Sequence, residues 1–194
     1  NKALDIINVA PASTNDYDAV LMRFDTINGA SVRIDTKGGT SGLRFITAFN
    51  VEEFKALKDY IKFGTLVAYT DALTKGDFII ENYADDDKVR VVPNTKGTFE
   101  YEHQGVTYTA YSVALVGLTD YIQSYSARGY IEVTYADETT ATFYTDFDED
   151  LNSRSIAETA YNLKTIGAAE YNTYTAEQKA VVDGYIPEGF VSEK

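Results

Sequence analysis

The chain has 194 residues, 44% of them hydrophobic, which suits one domain with a substantial core. Its 30 acidic residues against 17 basic ones leave a formal charge of −13, which argues against binding nucleic acid or an anionic membrane surface, since either needs a basic face. The absence of cysteine excludes disulfides and thiolate metal sites, and no run approaches the ~20 apolar residues of a membrane-spanning helix.

In chain order, Leu4–Val9 and Ala19–Phe24 read as short strands of an N-terminal extension over residues 1–28. The dominant period then becomes two: Ala30–Thr36, Gly42–Phe49, Gly64–Thr70, Lys88–Val92, Thr98–Glu102, Val106–Val116, Tyr121–Tyr135 and Thr140–Phe147 are predicted strands, rich in Val, Ile, Tyr, Phe and Thr. Turn signals separate them at Lys37-Gly38-Gly39, Lys75-Gly76-Asp77, Asp85-Asp86-Asp87, Pro93-Asn94-Thr95 and Gln104-Gly105. In the hairpin after Tyr135, placing apolar residues on one face sets Ile131 and Val133 opposite Phe143 and Thr145. That leaves Asp137-Glu138-Thr139 as a three-residue loop.

Three stretches change period. Asn50-Val51-Glu52-Glu53 opens a helix that continues through Phe54, Leu57 and Ile61. Capping boxes at Ser155–Glu158 and Thr175–Gln178 open two amphipathic helices, with apolar stripes at Ile156, Ala160 and Leu163, and at Ala180, Val181 and Tyr185. The pattern predicts a mainly β chain, an antiparallel β-sandwich of jelly-roll type with two to three short helices, two of them near the C-terminus. The whole, 1–194, reads as a single module, with residues 187–194 as an exit linker. The chain begins at Asn1 with no signal-peptide pattern, and so reads as a mature piece or a module of something longer.

Arg33, Arg44 and Arg128 stand inside strand patterns. Arginine can hold a planar, bidentate bond to a carboxylate while buried. Structural ion pairs with Asp35, Glu132 or Asp146, or clamps on backbone carbonyls, are the expectation; ligand recognition is the alternative. Arg128 shares a face with Ser124, Ser126, Tyr130 and Glu132, the composition of a solvated sheet face.

Within Thr145–Ser155 (TDFDEDLNSRS), Asp146, Asp148, Asp150 and Asn152 alternate as in a calcium loop. An EF-hand needs Gly at the sixth position and Glu at the twelfth; here they are Leu151 and Ala157. A Ca²⁺ site of another kind at the sandwich edge and a solvated acidic loop both remain open. Catalytic signals are poor. The single histidine, His103, reads as an exposed loop residue. It has neither a cysteine partner nor a Gly-x-Ser-x-Gly motif, and one histidine cannot supply a common zinc set. A carboxylate-based glycoside hydrolase stands as the enzymatic alternative. Sixteen tyrosines without a tryptophan suit half-buried sheet surfaces and sugar-facing platforms. Tyr83, Tyr101, Tyr108 and Tyr111 are the glycan-binding candidates by their nearness to loops.

Taken together, GASVRIDTKGGTSGLRF (29–45), FGTLVAYTDAL (63–73), YSARGYIEVTYADETTATFYTDF (125–147) and NSRSIAETA (152–160) resemble the accessory β-sandwich modules of large secreted and cell-surface proteins of Gram-positive gut bacteria. Such modules occur beside glycoside hydrolase, immunoglobulin-like and wall-attachment regions. The resemblance covers roughly residues 29–186 and implies an extracellular, non-catalytic module; a monomer without cofactor, Ca²⁺ apart, is the separate expectation for the chain. It carries no site motif across. The expected role is a spacer, an adhesion unit or a glycan binder, its partner a polysaccharide or a neighbouring protein module; a Ca²⁺-stabilised adhesion domain is the further alternative.

Overall fold

A computed structural model describes residues 23–38 and 40–193. They form a β-rich domain of two antiparallel sheets with several short helices. The first sheet runs β1 (Phe24–Thr26), β3 (Gly42–Phe49), β7 (Val106–Val116), β6 (Phe99–His103), with β2 (Ser31–Arg33) also pairing with β3. The second runs β10 (Ser153–Arg154), β8 (Tyr125–Thr134), β4 (Ile61–Tyr69), β5 (Val89–Pro93), with β9 (Thr140–Tyr144) on β8. Leu4–Val9 and most of Ala19–Phe24 lie outside the described residues.

The inner faces follow from the alternation. Phe49 of β3 sits among Phe24, Phe54, Phe63 and Tyr111, with ring centroids 5.2–5.8 Å away, in the offset and edge-on arrangements aromatic quadrupoles favour. The Tyr111 hydroxyl reaches across the sandwich and donates to the Gly64 carbonyl at 2.5 Å. At the other end Leu43, Phe45, Tyr125, Ala127 and Ile156 pack together, with Tyr121 and Tyr185 against them. Between these two apolar clusters lies a buried hydroxyl group. Thr26 Oγ1 bonds Thr47 Oγ1 at 3.2 Å and Thr145 Oγ1 at 3.0 Å, and the Gly129 N–H donates to both Thr26 and Thr145. Gly129 is required here, because a Cβ would stand 2.7 Å from Thr47 Cγ2.

The helices are α1 (Val51–Leu57), α2 (Ile80–Tyr83), α3 (Glu149–Asn152), α4 (Ile156–Thr165), α5 (Ala168–Tyr171) and α6 (Ala176–Gly184). Asn50 caps α1 through Glu52 and Glu53 N–H, and both predicted capping boxes are made, at Ser155–Glu158 and Thr175–Gln178. Helix α1 stops at Leu57, however, and Ile61 opens β4: the Tyr60 N–H turns back to the Leu57 carbonyl, and the Tyr60 carbonyl takes the Thr134 N–H. Beyond α6, residues 187–190 close a turn that sets Phe190 edge-on to Tyr161 at 6.0 Å.

The β8–β9 hairpin keeps its apolar face but in a different register. Ile131 faces Phe143 and Val133 faces Ala141, and the three loop residues are Ala136-Asp137-Glu138. Glu138 takes the left-handed backbone (φ 68°) and closes the turn. The Asp137 carboxylate accepts from the N–H and hydroxyl of Thr139, which ties Thr139 to the returning strand.

Candidate functional site

The four tyrosines separate into two buried and two surface residues. Tyr111 is 1% exposed in the inner core, and Tyr83 is 3% exposed beneath the segment that follows β4. Neither ring can meet a ligand. Tyr83 has structural work instead: its hydroxyl accepts from the Lys75 N–H and donates to the Gly76 carbonyl.

Tyr101 and Tyr108 come together. Gln104 and Gly105, both with positive φ (51° and 77°), form the two-residue turn that joins β6 to β7. This register sets Tyr101 opposite Tyr108, Phe99 opposite Ala110 and His103 opposite Val106. These side chains share the outer face of the first sheet. The Tyr101 ring lies parallel to His103 at 5.9 Å and edge-on to Phe99 at 6.4 Å. Phe99 and Val106 are 39% and 50% exposed, while Tyr101 and Tyr108 are half-buried against Ile46, Ala48 and Ala110. His103 is therefore a half-buried strand residue stacked on a tyrosine, not an exposed loop residue. On the reverse face of β6, Glu100 and Glu102 are exposed, so this end of the sheet meets solvent on both sides.

The strand arginines bond to neutral oxygens rather than carboxylates. Arg33 donates to the Thr40 carbonyl and, at 2.7 Å, to its hydroxyl. Asp35 accepts from the same hydroxyl and from the N–H groups of Lys37 and Gly38. The Thr40 hydroxyl, and then those amides, hold the Asp35 carboxyl down at about 2. The two residues thus order one loop through Thr40 without pairing. Arg128 is the carbonyl clamp of the earlier expectation: it donates to Thr145 O at 2.6 Å and Phe78 O at 3.1 Å, with its guanidinium over the Tyr144 ring. Burial draws its pKa down, opposed by the nearby charges of Asp77 and Asp146. Glu132 is half-buried on that strand. Arg44 donates through Nε to the Ser31 hydroxyl at 3.1 Å. The expected ion pairs among these residues are not formed. Among the described residues the one arginine–carboxylate pair is Arg23 with the buried Glu53, at 2.9 Å.

The face carrying Arg128 is also not solvated. Residues 70–83 fold over it, and Phe78 and Tyr83 pack on Leu66, Ala68 and Tyr130. The signal for this strap was a run of Phe78, Ile79, Ile80 and Tyr83 between turn residues. It went unread because α2 is four residues long and has no side-chain cap.

In the acidic run, Asp148 caps α3 by accepting from Asp150 N–H, and the buried Asn152 accepts from Asp148 N–H through Oδ1. Asp146 is exposed. Burial, and then the Asp146 charge, raise the pKa of Asp25. Among the described residues, no three His, Asp or Glu side chains gather where they could hold a metal ion. In the other acidic stretch, Asp86 pairs with Lys75 at 2.8 Å.

Two open clefts accompany the strip. One, about 380 Å³, lies between the β2–β3 edge and α4–α5 and includes Arg44 and Arg154. The other, about 640 Å³, opens between the sheets near Tyr69, Arg90 and Asp120. Among the described residues no helix is long and apolar enough to cross a membrane. The chain matches no family model, and neither the curated proteins nor the solved structures contain a significant match to it.

Proposed function

We propose that this chain is a non-catalytic module of a larger secreted or cell-surface bacterial protein, with a jelly-roll-like sandwich, and that it holds a glycan chain on the β6–β7 hairpin. The observation behind this reading is the strip of Phe99, Tyr101, His103 and Tyr108, brought to one face by the hairpin register. Sugar rings present apolar C–H faces that lie well on aromatic rings, and partly exposed rings lose little on being covered. The strip is shallow and open, which suits an internal stretch of polysaccharide more than an enclosed reacting bond. The chain's strong negative charge keeps such modules apart from one another.

The experiment is binding to a panel of plant, host and bacterial polysaccharides, with and without calcium, for the wild type and for Tyr101→Ala/Tyr108→Ala. A glycan bound by the wild type and lost in the double variant, at unchanged fold, is the expected result. No binding across the panel, or binding indifferent to the double variant, would sink the assignment and leave a spacer or protein-contact module.

A further inference from the structure

The cleft between the first sheet's edge and the C-terminal helices carries a different chemistry. Its lining includes the side chains of Arg44, Arg154, Thr159, Asn162, Glu170 and Tyr174. Two guanidinium groups against one carboxylate make it locally cationic in a protein of net charge −13. Neither guanidinium pairs with a carboxylate among the described residues. Arg44 uses Nε on the Ser31 hydroxyl. Arg154 uses Nη1 on the carbonyls of Asp150 and Ser153, at 2.7 and 2.6 Å, and its Nε and Nη2 lie beside Gly29, 3.8 Å from where a Cβ there would stand. Each arginine is thus oriented by neutral oxygens and keeps donors in hand, the arrangement that favours a planar, doubly accepting anion.

The other groups set the ligand's remainder. Glu170, held by the Tyr174 hydroxyl at 2.6 Å, repels a bare anion but accepts from hydroxyls. The Thr159 hydroxyl is already spent on the Ser155 carbonyl at 2.8 Å, and the Tyr174 ring offers an apolar face. A small inorganic ion would leave most of the roughly 380 Å³ unused. We propose that this cleft is a binding site for a carboxylate-bearing sugar unit, a hexuronic acid, with Arg44 and Arg154 on the carboxylate and Glu170 on ring hydroxyls. The site lies apart from the aromatic strip, and the proposal stands without it.

The test titrates the protein with galacturonate, its methyl ester, galactose, acetate, inorganic phosphate and a short aspartate-rich peptide, followed by calorimetry and by backbone NMR shifts. Galacturonate should bind, with shifts at Ser31, Arg44, Arg154 and Glu170. The ester and galactose should bind at least about tenfold more weakly, since they lack the charge. Arg154→Gln should abolish binding, but it also releases two carbonyls and can unfold the local turn. Arg44→Lys keeps both fold and charge and removes only the planar fork, so it should weaken galacturonate by about tenfold at an unchanged melting temperature. Tyr101→Ala/Tyr108→Ala should leave galacturonate affinity unchanged, which separates this site's fate from that of the strip. The proposal is overturned by any of four results: no galacturonate binding in the low millimolar range, equal binding of acetate or phosphate, tighter binding of the peptide, or indifference to Arg44→Lys.

Discussion

The outer faces of the two sheets carry similar aromatic residues and meet different fates. On the second sheet, Tyr130 and Tyr144 lie under residues 70–83. Arg128 clamps the Phe78 carbonyl, the Tyr144 hydroxyl takes the Ile80 N–H and donates to Glu81, and Phe78 seals the contact. On the first sheet, Phe99, Tyr101 and Tyr108 receive no such strap from the described residues and stay partly open. Rings on a strand face therefore say little about binding. The deciding fact is whether the chain returns over them, and that is not encoded in the strands that carry the rings.

Substitutions on the two faces should part company in stability. Phe78→Ala removes the centre of the strap, which is 2% exposed, and should cost about 3–5 kcal/mol in urea unfolding. A cost below about 1 kcal/mol would show that the strap is peripheral. Arg128→Ala should come next, at about 2–3 kcal/mol, because two carbonyls lose a charged donor. Tyr101→Ala, on the open face, should cost about 1 kcal/mol or less; a loss as large as that of Phe78→Ala would mean the strip is core after all. Arg44→Ala should be the mildest, at about 0.5 kcal/mol, whereas a buried carboxylate left without its arginine would cost about 3–5 kcal/mol.

Acid titration sharpens the contrast at the level of single carboxyls. Asp35 has its folded pKa lowered to about 2 by Thr40 and the loop amides. Its contribution is present above the unfolded value near 4 and is lost as pH falls towards 2. Asp25 is shifted the other way, by burial and then by Asp146. Its folded form holds the proton more tightly, so stability is favoured below the unfolded value and declines as pH rises through the raised folded value. Melting curves from pH 2 to 7 should show Asp25→Asn above the wild type at neutral pH, with the gain gone in acid. Asp35→Asn should fall below the wild type at neutral pH and meet it near pH 2. Parallel curves for either variant would contradict the assignment.

Strands with strong alternation were legible residue by residue: β3 and β7 have the predicted bounds, and the Gln104-Gly105 turn sits where its composition placed it. Capping boxes were equally plain, since Ser155 and Thr175 satisfy rules that act within four residues. The β8–β9 loop was right in length and two positions off in pairing, because Glu138, a poor left-handed residue by type, takes that backbone, and because Asp137 favours Thr139 beyond the loop. The arginine partners were not legible. Arg44 and Arg128 are served by a hydroxyl and by carbonyls, groups that every residue or many residues carry, so composition could not nominate them. Of the strip, two tyrosines were named; Phe99 and His103 joined them only through register.

The hydroxyl group at the centre of the sandwich bears on how the protein comes apart. Thr26, Thr47, Thr145 and the Gly129 amide are drawn from three strands and the segment leaving β9, and both sheets contribute. Separating the sheets would strand all of these groups in an apolar gap before water could reach them. Intermediates with one sheet formed are thereby penalised, and the described domain should melt in a single cooperative step, with tertiary and secondary probes reporting the same midpoint.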